Sequence, residues 1–119
     1  MTNYSKKEIA VLFSDGHFEL AFPHLSEDII WEIIGDHLLH GKSAVVTHCK
    51  KITEYFESVQ TDFKTVDIIE TERKIVIRGT GEFISDGKSV NLIAACDIYE
   101  FNSHSKLVKI SSYCIPENK

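Results

Sequence analysis

With 119 residues, 43% of them hydrophobic, and no shift in composition along its length, the chain reads as one domain over 1–119, long enough to bury roughly two thirds of its unfolded surface. A formal net charge of -5, with Lys and Arg scattered instead of gathered on one face, excludes the electrostatic footprint of a nucleic-acid partner. No apolar run approaches the roughly 18 residues of a membrane span, and MTNYSKKEIAVLFSDG holds no signal-peptide core, so a cytoplasmic protein with no membrane partner is expected.

Ser5 followed by Glu8 is a capping-box pattern. Ile9, Leu12 and Phe13 then fall at helical spacing before Gly16, which predicts a helix over 6–15. Phe18, Ala21 and Phe22 cluster ahead of Pro23 and give a short second helix over 17–22. Residues 26–34 read as an apolar strand with Trp31 and Glu32 inside it, and 35–42 as a loop carrying His37 and His40. Ser43 is the expected cap of a third helix reaching about Ser58, because Val45, Cys49, Ile52, Phe56 and Val59 recur at spacings of four and three.

From Thr61 onward β-branched residues dominate, and 63–71, 74–84, 88–101 and 106–115 read as four strands. Asp86-Gly87 is a hairpin signal, while Gly79 and Gly81 inside a strand pattern predict a bulge or bend that curls the sheet. Helices first and strands after imply an α+β cone, a strongly curved antiparallel sheet with three N-terminal helices over its concave face. Such a cone is a natural enclosure for a small apolar or aromatic molecule.

The chain resembles the nuclear transport factor 2 superfamily, with its ketosteroid isomerases and SnoaL-like polyketide cyclases. The marks are the helix ending at Gly16, the strand IIWEIIG, the return at Gly41-Lys42 into SAVVTHCKKITEYF, and the final pair CDIYEFNSHSKLVKISSYC. The resemblance implies a small-molecule pocket, no organic cofactor, and either a binding module or a cofactor-independent isomerase, cyclase or dehydratase. In the ketosteroid isomerases the proton-shuttling acid precedes the strand-ending glycine by three residues, as Glu32 precedes Gly35. A second acid, kept protonated there, begins a D-x-x-x-F run that is matched by Asp97 in DIYEF. The oxyanion tyrosine of that family falls on Ile9, so one of its two donors is missing here.

Strand parity puts Ile93, Ala95, Asp97, Tyr99 and Phe101 on one face, and an acid among such neighbours should have a raised pKa. Only one of Trp31 and Glu32 can point inward unless a bulge intervenes. The candidate catalytic residues are therefore Glu32, Asp97 and His17, the last beside the first helix's closing glycine. The expected pocket is Phe13, Phe18, Trp31, Phe56, Ile93, Ala95, Tyr99 and Tyr113. Convergence of Glu32 and Asp97 on one cavity would favour an enzyme, and divergence a binding module.

Six histidines show no HExxH or facial-triad arrangement, so no metal is expected. Cys49, Cys96 and Cys114, odd in number and far apart, read as buried free thiols. The outward parity of the meander, with Val76, Ile84, Leu92, Ala94 and Ile98, is apolar enough to predict a homodimer through the outer sheet face.

Overall fold

The computed structural model describes residues 3–117. Three helices, α1 (Lys6–Ser14), α2 (Phe18–Ala21) and α3 (Lys42–Ser58), lie over a sheet of six strands. The strands are β1 (Leu25–Ile33), β2 (His37–His40), β3 (Gln60–Glu70), β4 (Lys74–Ser85), β5 (Lys88–Phe101) and β6 (Leu107–Pro116), in the order β2-β1-β6-β5-β4-β3. A 3-10 turn, Phe22–His24, joins α2 to β1. Among the described residues no helix is long and apolar enough to cross a membrane.

The first helix starts as its sequence dictates: the Ser5 hydroxyl accepts from the Glu8 amide at 3.1 Å, and the Glu8 carboxylate accepts from the Ser5 amide at 2.8 Å. Its buried side chains, Ile9, Ala10 and Phe13, face the sheet, and the long third helix presses Val45 and Cys49 into the same core. Around them Trp31, Ile75, Ile77, Tyr99 and Ile110 supply the sheet side of that core. At the β4–β5 hairpin the Asp86-Gly87 signal is realised, with Ser85 opposite Lys88 and both turn residues at positive φ (53° and 76°).

Three local expectations are corrected. The segment read as a loop holds β2, whose HLLH pairs antiparallel with β1, Leu39 opposite Trp31. Four residues at a sheet edge are too few to announce themselves by alternation, and the strand exists because β1 offers it a partner. The third helix is capped by Gly41 and begins at Lys42, with no side-chain cap, so Ser43 sits inside the first turn. One of the five strand pairings, β1 with β6, is parallel; the other four are antiparallel.

The sheet bends where the glycines foretell it, although the extra residue lies on the neighbouring strand. The β3–β4 register slips between Thr65 and Asp67, and Gly79 faces Thr65 across the slip. A Cβ on Gly79 would stand 2.3 Å from the Lys64 carbonyl oxygen, so the two backbones approach closer there than any side chain permits. That approach turns the sheet's edge toward the helices and opens a hollow between the two layers.

Candidate functional site

The hollow has a volume of about 310 Å³. Strand alternation builds its floor: β1 contributes Trp31 and Ile33, β6 Ser112 and Cys114, β5 Ile93, Ala95, Asp97 and Tyr99, and β4 Ile77, Gly79, Gly81 and Phe83. Helix α1 adds Phe13, and α3 adds His48, Ile52 and Phe56.

The walls are aromatic. The Phe13 ring meets Phe18 edge-on at 4.9 Å, Trp31 at 5.1 Å and Tyr99 at 6.0 Å between centroids. Phe56 stands between Phe18, Phe63 and Phe83 at 6.2, 5.3 and 5.7 Å. Its ring is half-buried, with one side on the hollow, so part of its packing is already absent. Phe56→Ala is accordingly expected to cost about 2 to 3 kcal/mol in urea unfolding, at or below the low end for a fully enclosed ring. A loss under about 0.5 kcal/mol would contradict this packing.

One end of the floor is polar. Asp97 lies directly opposite Ile77 on β4 and Ser112 on β6, and burial pushes its carboxyl up to about 6, with hydrogen bonding from Ser112 acting against that rise. Among the described residues no Lys, Arg or His forms an ion pair with it. Two residues along, Tyr99 is completely buried and its phenol is raised well above its ordinary value by burial and then by the Asp97 charge, while its hydrogen bond with Ser14 opposes the rise. The Cys114 thiol is lifted to about 11, again by burial first and Asp97 second. Trp31 reaches the same place, its indole Nε1 donating to Ser112 Oγ at 2.9 Å.

A second polar group gathers at the Trp31 side. His48 packs edge-on against Trp31 and against His37, both at 5.2 Å between centroids, and His37 Nδ1 stands 2.9 Å from an Asp36 carboxylate oxygen. Burial, then His37 and Lys51, lower the His48 pKa against a smaller opposite pull from Asp36, so its imidazole is neutral at physiological pH.

Seven of the eight expected pocket residues line the hollow: Phe13, Phe18, Trp31, Phe56, Ile93, Ala95 and Tyr99. Tyr113 does not. It is opposite Cys96, 44% exposed on the convex face, while its neighbours Ser112 and Cys114 point inward. Of the three candidate catalytic residues only Asp97 lines the hollow. Trp31 takes the inward place on β1, and Glu32 turns to the other face opposite Leu38 and Ser111, because burying the indole gains far more than burying a carboxylate. His17 is exposed at the start of α2, with Phe18 taking the inward position beside it.

Residues the sequence reading passed over include His48, Asp15, Asp36, Ser112 and Cys114. His48 was within reach, since it precedes Ile52 and Phe56 at steps of four on one helix face. The thiols stay free as expected, but only Cys49 is buried, its pKa raised to about 12 by burial; Cys96 is half-buried on the convex face, opposite Tyr113, and Cys114 is accessible from the hollow that it lines. Among the described residues no group of three or more His, Cys, Asp or Glu is placed to hold a metal ion.

No family model matches the sequence, and no curated protein matches it. Solved structures do. An LEH-like epoxide hydrolase from M. tuberculosis, 14% identical, superposes with a TM-score of 0.72 over 92% of this chain and 82% of that one. A candidate SnoaL-like polyketide cyclase from Shewanella denitrificans OS-217, 13% identical, gives 0.71 over 92% and 90%. At such identities these two show the shared cone fold alone. An NTF2-like protein of unknown function from Cytophaga hutchinsonii is nearer in sequence, at 31% identity, with a TM-score of 0.81 over 90% of this chain and 93% of its own. A likeness of that identity, carried over nearly the whole of both chains and resting on the same helix-covered, curved sheet, places this protein in the NTF2-like family.

Proposed function

We propose that the chain is a cytoplasmic small-molecule-binding domain that takes one largely apolar or aromatic molecule into the hollow between its helices and the concave sheet face. The observation that carries this reading is the hollow itself: about 310 Å³ walled by Phe13, Phe18, Trp31, Phe56 and Tyr99, with a short polar stretch around Asp97 and Ser112. Aromatic walls supply affinity by burial, and a few convergent polar atoms supply orientation. The separation of Glu32 from Asp97 favours a binding module. Native mass spectrometry of freshly purified protein tests it: a retained adduct of a few hundred daltons is expected, lost on denaturation. A clean apo mass, with no ligand from a small aromatic library shifting the Trp31 indole resonance, would reject it.

A second reading, cofactor-independent proton transfer of the isomerase, cyclase or dehydratase kind, is favoured by one observation. Asp97, raised toward neutrality, and His48, held neutral, line the same hollow. Turnover by this route would be abolished by either Asp97→Asn or His48→Ala.

The proposal includes a homodimer through the convex sheet face. Val76 lies opposite Ile98 and Ala94 opposite Ile115 there, and Ile69, Tyr113 and Ile115 are exposed by 59%, 44% and 65%. Light scattering should give twice the 13.5 kDa chain mass, and Ile115→Lys should halve it. A monomer at high micromolar concentration overturns this part.

A further inference from the structure

We infer that the hollow selects an apolar molecule carrying a hydroxyl group, whose proton is accepted by the Asp97 carboxylate, and that Ser112 fixes this choice by directing its own proton onto Asp97. The inference rests on the small-molecule reading above and narrows it to a ligand class.

Hydrogen-bond direction sets what Asp97 can accept. An indole N–H can only donate, so in the 2.9 Å bond from Trp31 Nε1 the Ser112 oxygen is the acceptor. A serine hydroxyl has one hydrogen, and it remains for the residue across the strand pair, Asp97, which it stabilises in the ionised form. The relay Trp31 to Ser112 to Asp97 therefore runs one way: an irreversible donor stands at one end and an acceptor-only carboxylate at the other.

An ionised carboxylate has about four acceptor sites, and Ser112 occupies one. The remaining neighbours do not fill the rest. Tyr99 on the same strand is engaged with Ser14 of α1, Cys114 on β6 is a neutral thiol and a weak donor, Ile77 on β4 offers none, and Asp15, after α1, carries charge of the same sign. At the far side of Trp31 the charged and titratable groups are Asp36, His37, His48 and Lys51, and on β3 Lys64 also lines the hollow, its largely exposed ammonium 3.6 Å from Asp62. Water can fill these sites in the empty hollow, and a ligand that displaces it must supply the donor in its place. Ketones and ethers have none. An ammonium would donate, but taking it into aromatic walls costs more solvation than a hydroxyl does.

The same relay gives the preference a pH dependence. Above the Asp97 titration the acid accepts and a hydroxyl fits; below it the acid donates and a carbonyl fits. Three probes of one body separate these cases: 1-naphthol, 1-methoxynaphthalene and 1-tetralone, with affinities read from the indole N–H resonance of Trp31, the chain's single tryptophan. At about pH 7.5 naphthol is expected to bind at least about tenfold tighter than its methyl ether, the range for a hydrogen bond to a charged group. By about pH 5 the ratio should fall toward one while tetralone gains. Ser112→Ala removes the donor that holds Asp97 down, so the fall should occur at higher pH. Equal binding of naphthol and ether at about pH 7.5, or a ratio that does not move with pH, overturns the inference and leaves the binding reading standing. The wild-type profile decides this however well the variant folds. A Ser112→Ala profile that superimposes on wild type overturns the role assigned to Ser112. Failure of all three probes to bind up to their solubility limits overturns the binding reading, and this inference with it.

Discussion

Asp97→Asn is expected to stabilise the ligand-free protein by up to about 3 kcal/mol near pH 7.5. Burial raises the folded-state pKa of this acid from 3.8 to about 6, so its ionisation opposes folding. At pH values below 3.8 the group is protonated in both folded and unfolded chains and contributes nothing. As pH climbs from there to about 6 the unfolded chain loses this proton more readily, and stability falls; above about 6 the penalty is constant. A gap of about two pK units corresponds to about 3 kcal/mol, an upper figure because the hollow admits water that softens the desolvation. Asparagine keeps the shape and removes the titration. Urea unfolding of both proteins should therefore show the variant ahead near pH 7.5, with the gap narrowing to about 1 kcal/mol near pH 4.5. A wild type that is the more stable near pH 7.5 would mean a carboxylate satisfied by partners the structure does not place beside it.

Gly79→Ala is expected to cost about 3 kcal/mol or more and to damage the hollow as well. The added methyl would lie 2.3 Å from the Lys64 carbonyl oxygen and 3.3 Å from the Thr65 Cα, both backbone atoms of a paired strand. Nothing there can rotate aside, so β3 must move off β4 at the point where the sheet turns. Gly81→Ala is the control. Its methyl meets only the Phe63 ring at 3.1 Å, a side chain able to shift by tenths of an ångström, and about 1 kcal/mol is expected. Comparable losses for the two variants would show that the bend does not depend on the close approach at Gly79.

Several features were legible because they depend on near neighbours in sequence. The capping box at Ser5 and Glu8, the Asp86-Gly87 turn and the stripe from Val45 through Phe56 are all set within a few residues, and each is found in place. Period-two alternation likewise set Asp97 beside Ile93, Ala95 and Tyr99 without knowledge of any other strand. The family resemblance in IIWEIIG and CDIYEF belongs to the same class, since it too is a local pattern.

Register and facing were not legible, because they are settled between segments far apart in the chain. Alternation says that Trp31 and Glu32 point opposite ways, and only the packing of α3 and β6 on β1 decides that the indole goes in and meets Ser112, 81 residues away. The choice of Tyr113 as a pocket residue failed for the same reason: the β5–β6 register sets Ser112, not Tyr113, opposite Asp97. Likewise HLLH became a strand only when β1 offered an edge, and His48 became a cavity residue only when α3 crossed Trp31. By itself the sequence determined the helices, the longer strands and which side chains share a strand face, because those follow from torsions and spacing over a few residues; the edge strand HLLH was the exception. The tertiary structure decided which face encloses the hollow and which acid lines it, because the pairing of distant strands and the bend at Gly79 exist only in the assembled sheet.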